Sequence, residues 1–203
     1  MKSRHAARLI FKIDFKPVKT GSYYFDMTTL VLTKLVLREI NKDDRVLDMG
    51  TGTSSIIGLT LWKQCGCYVV CSDINPEIVS MAQENVEFNQ APIQVKHSNL
   101  FENIEEDFDV VVFNPPYVPT KKGTISNLSK QFQSQWDGGE DGSSIVKQFF
   151  SGHETSQKPH EVQTDALNLS VLSVACAVNA STLQAPTHDR HKVQFDSLTI
   201  TFP

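Results

Sequence analysis

The chain is 203 residues long, 40% hydrophobic and 21% charged, with a formal net charge of −4. That length serves one domain with a real core. The mild acidity excludes a protein that holds nucleic acid by charge alone, and no apolar run is long enough to span a bilayer. The opening MKSRHAARLIFK is basic but lacks the apolar core and small-residue cleavage site of a secretory signal. Arg4, Arg8 and the lack of acid before Asp14 give it only a faint likeness to an organelle transit segment. The expected location is the cytoplasm, with nucleus and mitochondrion left open. Cys65, Cys67 and Cys71 match no common zinc spacing and have no histidine nearby, so they are expected to be reduced, partly buried thiols.

Residues 1–24 show no clear period, although Phe11, Ile13 and Phe15 alternate with Lys12 and Asp14, predicting a short edge strand stopped at Pro17. Leu30, Val31, Leu35, Val36 and Ile40 then fall at helical spacing, with Asp26 or Thr28 as N-cap. Strands are predicted at 45–49, 68–71, 93–95 and 108–113, with helices after the first two. Asp73 ends the second strand, and Asn75 with Pro76 opens the helix that follows, its inner face lined by Met81 and Val86. Repeated strand–helix alternation implies a parallel sheet with crossover helices on both faces. A long loop, 118–135, leads to WDGGEDG and one further helix, SSIVKQFF. Beyond it the pattern weakens: LNLSVLSVACAVNASTL fits a strand, a helix or neither, and KVQFDSLTITF suggests a terminal strand.

Four motifs carry chemistry. In VLDMGTGTSS, Gly50 and Gly52 allow a tight strand-to-helix turn with outward N–H groups. Asp48 at the strand end disfavours a pyrophosphate and suits an α-ammonium, and Ser54 breaks the strict dinucleotide fingerprint. Asp73, 25 residues on, is placed to accept from two ribose hydroxyls or to cap the next helix. Asn99 and Leu100 follow the third strand, where an adenine ring would lie. FNPPY is the most specific. Two prolines end the strand, and Asn114 is pushed to an extended conformation by Pro115. The stiff turn presents the Asn114 amide, the Pro115 carbonyl, Pro116 and the Tyr117 ring to a planar NH2 group. Accepting both N–H hydrogens fixes such a nitrogen, and Tyr117 stacks on its plane.

With these motifs in this order, residues 24–150 resemble a class I S-adenosylmethionine-dependent methyltransferase. More narrowly, FNPPYVPT followed by WDGGEDG and a helix ending in Phe149 and Phe150 resembles the compact branch of the HemK family, which methylates glutamine in peptide-chain release factors. The resemblance implies a Rossmann-like, mostly parallel sheet, and cofactor contacts at Thr28, Asp48, Gly50, Gly52, Asp73, Asn99, Leu100 and Asn114. It implies that Asn114, Pro115, Pro116 and Tyr117 hold the target amide, that a release factor is the substrate, and that a small zinc-binding activator subunit takes part. No metal ligand is expected in the chain itself.

Ser54 stands where the family has a third glycine, and Asn99 where it has an aspartate. The tail after His153 departs from the family's remaining strands and helix. The expected organisation is a methyltransferase core with a short N-terminal segment over 1–151 and an atypical C-terminal segment over 152–203, with a sheet that is incomplete at that end if the tail adds no strand. Two alternatives stay open: methylation of an exocyclic amine of adenine or guanine in nucleic acid, and an inactive cofactor-binding variant.

Overall fold

In the computed structural model, residues 3–16, 27–119, 137–156 and 176–179 are described. The elements are α1 (Ser3–Ile10), α2 (Met27–Glu39), β1 (Arg45–Met49), α3 (Ile56–Cys65), β2 (Tyr68–Asp73), α4 (Pro76–Phe88), β3 (Gln94–His97), β4 (Val110–Phe113), α5 (Ser144–Ser156) and β5 (Cys176–Asn179). The strand order is β3-β2-β1-β4-β5, with β1 to β4 parallel and β5 antiparallel to β4. After β1 the chain builds outward through β2 and β3, then returns to lay β4 on the other side of β1. The strand order reverses there, and in open α/β sheets the crevice at that switch point is where ligands bind. The class I methyltransferase-like architecture expected from the sequence is the one found.

The central strands are apolar on both faces, as a covered parallel sheet requires. Val46, Val69, Cys71 and Val112 pack on one face beneath Leu32 and Val36 of α2, Ile56 and Leu59 of α3 and Val86 of α4. Leu47, Met49, Val70, Val111 and Phe113 fill the other face with Phe108 and Phe149. Phe149, on α5, has its ring centroid 5.2 Å from Phe113 and 5.3 Å from Phe101. At the amino ends of the strands Glu106 accepts hydrogen bonds from Arg45 Nη2 (2.7 Å), Lys96 Nζ (2.9 Å) and Tyr68 OH (2.9 Å), tying three strands together opposite the switch-point crevice.

The N-terminal edge strand is not formed. Residues 3–10 are helical, and the alternation that follows has another cause. Phe11, Ile13 and Phe15 are buried, but residues 11–16 pair with no strand. Their backbone meets side chains instead: Asn85 accepts from Lys16 N (2.8 Å), while Asn89 donates to the carbonyl of Asp14 (2.7 Å) and Gln64 to that of Phe11 (3.2 Å). Period-two burial here records an extended segment laid on helices. Asp26, offered as a helix cap, lies outside the described residues, and Thr28 is the second residue of α2.

In the tail, α5 continues to Ser156, across the expected boundary at 151, and β5 comes from the ambiguous apolar stretch to lie on the far edge of β4. The terminal strand expected in KVQFDSLTITF lies outside the described residues, as do 120–135 of the long loop and Trp136 after it. Among the described residues no helix is long and apolar enough to cross a membrane.

Phe149 is the load its helix places on the sheet. Phe149→Ala is expected to lower unfolding free energy by about 3–5 kcal/mol in denaturant titration. Phe88→Ala, at an exposed ring, should change it by less than about 1 kcal/mol; equal effects would contradict this packing.

Candidate active site

The carboxyl ends of β3, β2, β1 and β4 bring most of the sequence-predicted residues into one row. Met49 is in register with Ser72 on one side and Phe113 on the other, and Asp73 with His97. Asp48, Gly50 and Gly52 therefore follow one strand, Asp73 the next, Asn99 and Leu100 the outer one, and Asn114 to Tyr117 the strand on the other side.

The turn after β1 is built around Asp48. Its carboxylate is 1% exposed. Oδ2 accepts from Thr51 Oγ1 (2.6 Å), Gly58 N (2.9 Å) and Cys71 Sγ (3.8 Å), thereby bracing the turn, the first turns of α3 and β2. Burial pushes the acid up to about 6, against the pull of these donors. Gly50 and Gly52 adopt φ of 66° and 65°, a region costly for other residues. A Cβ on Gly50 would stand 3.2 Å from the Phe113 ring, whereas nothing lies within 4 Å of the Cβ position at Gly52, which faces open space. The turn is held from β2 by Thr51 N donating to the Ser72 carbonyl (2.9 Å) and Gly52 N to Asp73 Oδ2 (3.1 Å).

Asp73 does not cap α4. That role belongs to Asn75, whose Oδ1 accepts from Glu77 N (2.9 Å). Asp73 instead joins two turns, accepting from Gly52 N and, through Oδ1, from Asn75 N (3.0 Å). Burial raises its pKa, and backbone donors at Asn75, Gly52 and Ile74 oppose that. Ser98 N donates to the Asp73 carbonyl (3.0 Å), docking the turn that carries Asn99 and Leu100 beside it. Leu100 has φ 48°, with Ser98 Oγ donating to its carbonyl (2.8 Å), and Asn99 Nδ2 donates to Glu102 (2.8 Å).

On the β4 side, Asn114 Nδ2 donates to Thr29 Oγ1 (3.2 Å). Thr29 is largely buried in the first turn of α2, next to the predicted Thr28. The loop of WDGGEDG packs on the exit of FNPPY: Gly138 N donates to the Val118 carbonyl (3.0 Å), and Val118 forms a bridge with Asp137. A Cβ on Gly142 would come 2.4 Å from the Tyr117 carbonyl, and one on Gly138 2.8 Å from Tyr117 Cα. These glycines let two backbones touch.

Sequence reasoning missed four residues. Thr29 had no signal, since its partner is 85 residues away. Gly58 did: a glycine inside an otherwise apolar helix, where a Cβ would stand 2.5 Å from Cys71 Sγ and 3.2 Å from Asp48 Oδ2. It provides a close helix–strand approach. Ile74, next to Asp73, is 61% exposed at the strand ends. Asn85 is a polar residue on the buried stripe of α4.

The family model described as methyltransferase small domain matches residues 22–135. A putative protein N5-glutamine methyltransferase of Methanocaldococcus jannaschii is 37% identical over 121 residues, covering 60% of this chain and 59% of the relative. A release factor glutamine methyltransferase of Lactococcus lactis is 36% identical over 88 residues, 43% of this chain and 33% of the relative. The human methyltransferase HEMK2 is 28% identical over 152 residues, 72% of this chain and 67% of the relative. These relatives bear out the likeness to the HemK family read from the motifs. The chain spans 59% and 33% of the first two in length.

Asp48 gives the brace a pH signature. Its acid is lifted from 3.8 to about 6, so the folded chain holds this proton more tightly than the unfolded chain. The stability it lends is fully present below 3.8 and is lost as pH rises through about 6. Asp48→Asn removes that dependence. Relative to wild type, the variant should gain roughly 2–3 kcal/mol between pH ~4 and pH ~7, read by denaturant unfolding. A constant difference across that range would show that the carboxylate is not buried as described.

Proposed function

The chain belongs to the methyltransferase small domain family, and from that premise we propose that it transfers a methyl group from S-adenosylmethionine to the side-chain amide nitrogen of a glutamine in a peptide-chain release factor. The observation that carries the reading is Asn114. Its amide stands at the carboxyl end of β4, beside the glycine turn of β1, with Nδ2 held by Thr29 so that Oδ1 is turned to the opposite side. The printed names of the archaeal and bacterial relatives support the glutamine acceptor.

The residues present suit the cofactor. The open face above Gly52 admits a ligand against backbone N–H groups. Asp73, fixed by two backbone donors, is placed to accept from ribose hydroxyls. Leu100 and the exposed Ile74 offer apolar surface for an adenine ring, with Asn99 beside them as a polar partner. Asp48 serves the cofactor through the turn it braces, and Thr28 lies at the same end of α2 as Thr29. Bound S-adenosylmethionine supplies an electrophilic methyl group on a positively charged sulfur.

A glutamine amide nitrogen is a poor nucleophile, because its lone pair is delocalised into the carbonyl. Asn114 Oδ1 and the Pro115 carbonyl accept its two N–H hydrogens, which fixes the nitrogen and favours lone-pair density towards the methyl group. Pro116 keeps the turn rigid, and Tyr117 stacks on the amide plane. Transfer would form the N–C bond as the C–S bond breaks with its electron pair left on sulfur, and the nitrogen held by Asn114 and Pro115 would give one proton to water. Catalysis rests on position and hydrogen bonding, with no strong base.

Labelled S-adenosylmethionine offered with purified release factor, or with total RNA and DNA, tests the acceptor. Label is expected in the release factor; label only in nucleic acid, or none despite cofactor binding, overturns the reading. Asn114→Ala should lower transfer by on the order of a hundredfold while calorimetry finds cofactor affinity little changed. Thr29→Val should lower kcat about three- to tenfold, the worth of one hydrogen bond, and Thr29→Ser should restore it.

A further inference from the structure

Asn85 is fully buried, and its carboxamide reaches three parts of the chain. Oδ1 accepts from Lys16 N (2.8 Å), and Nδ2 donates to the carbonyls of Thr53 (2.9 Å) and Met81 (3.2 Å). A backbone N–H only donates and a backbone carbonyl only accepts, so chemistry fixes which way this amide points. It shares the inner stripe of α4 with Ile78, Ala82 and Val86. A polar group at such a site costs stability unless its bonds are made, and here they are made to the glycine turn and to the N-terminal segment.

Thr53 follows Gly52 in the turn proposed to receive the cofactor. β2 holds that turn at Thr51 and Gly52, and Asp48 holds it from beneath. Asn85 holds its third side and is the link to residues 11–16. That segment has anchors of its own: buried Phe11, Ile13 and Phe15, the Asn89 bond to the Asp14 carbonyl, and an ion pair between Arg8 and Asp14.

We propose that Asn85 is a positioning residue for the cofactor turn, coupling the docking of residues 11–16 to cofactor affinity. The proposal rests on the cofactor reading above. Asn85 touches no ligand; it sets where the Thr53 peptide, and with it the Gly52 N–H, is held. Linkage makes the coupling reciprocal, so a ligand that needs the ordered turn also tightens Asn85 and the segment it grips.

The test compares Asn85→Ala with Asn89→Ala. Both release a hydrogen bond to the N-terminal segment from the same helix, but only Asn85 bonds to the turn. In calorimetry Asn85→Ala should weaken S-adenosylmethionine binding by about tenfold, the order of one lost buried hydrogen bond, with the loss in turnover falling on KM for the cofactor rather than on kcat. Asn89→Ala, which loosens the segment but leaves the Asn85 bond to the turn, should weaken binding by clearly less. Equal weakening in both, or none in Asn85→Ala, overturns the proposal. Amide exchange over 50–55 in the ligand-free proteins separates this from the cofactor reading: it should quicken in Asn85→Ala alone even if wild type binds no S-adenosylmethionine. If Asn85→Ala does not fold, the wild type decides. Exchange of the Asn85 carboxamide protons should slow further on saturation with cofactor, and unchanged exchange overturns the coupling.

Discussion

A buried carboxylate at the centre of the sheet is the constraint from which the site is built. Asp48 has lost its water, a loss that is costly for a charged group without close donors. It finds them on Thr51, Gly58 and Cys71, one each from the turn, α3 and β2. The raised pKa is what remains of the desolvation after those bonds are made. Gly58 makes the arrangement feasible, because any side chain there would push α3 off β2 and away from the carboxylate. Once α3 is seated, the open face of Gly52 and the acceptor pair of Asp73 are fixed relative to each other.

The proposed acceptor side is coupled to that turn through an aromatic contact. The missing Cβ of Gly50 is filled by the Phe113 ring, and Phe113 stacks on Phe149 of α5. Phe113 immediately precedes Asn114, so the packing that supports the glycine turn also sets where the proposed amide clamp begins. From the other direction the WDGGEDG loop presses its glycine backbone onto Tyr117 and Val118 and then runs into α5. The clamp is thus held at its base by packing, at its tip by backbone contact, and at its side by Thr29.

Much of this was legible because the cofactor half is local in sequence. Between Asp48 and Leu100, strand ends, turn glycines and the Asn75–Pro76 cap follow from propensity and periodicity, and the parallel order follows from the alternation of elements. The N-terminal alternation misled because burial against helices leaves the same period-two trace as a strand; only hydrogen-bond partners distinguish them, and those are Gln64, Asn85 and Asn89, 53 to 75 residues away. Asp73 was ambiguous between a ligand role and a cap until the structure showed Asn75 taking the cap. Gly58 was visible as a helix-interior glycine, yet its purpose depends on Cys71, a residue of the neighbouring strand. Thr29 left no trace, since nothing in a helix's first turn announces a partner after the fourth strand.

That contrast bears on how specificity is carried. The strand-end turn and acid are a device that many chemistries share, and a fold of this kind leaves the reaction to the loops grafted on it. Here the grafted part is assembled from three distant segments: the start of α2, residues 113–119, and the glycine loop 137–142 before α5. The family match, 22–135, takes in the first two and stops short of the third. The glycines that contact the Tyr117 backbone therefore lie beyond that match, in a segment tied to β4 by Phe149 and its neighbours and to the turn after β4 by the Val118–Asp137 bridge. That loop abuts the backbone of Tyr117 and Val118, whereas the Gly50–Phe113 contact does not involve it. In this architecture the turn after β1 and the turn after β4 meet through the buried Phe113 ring, which packs against Gly50 on one side and Phe149 on the other.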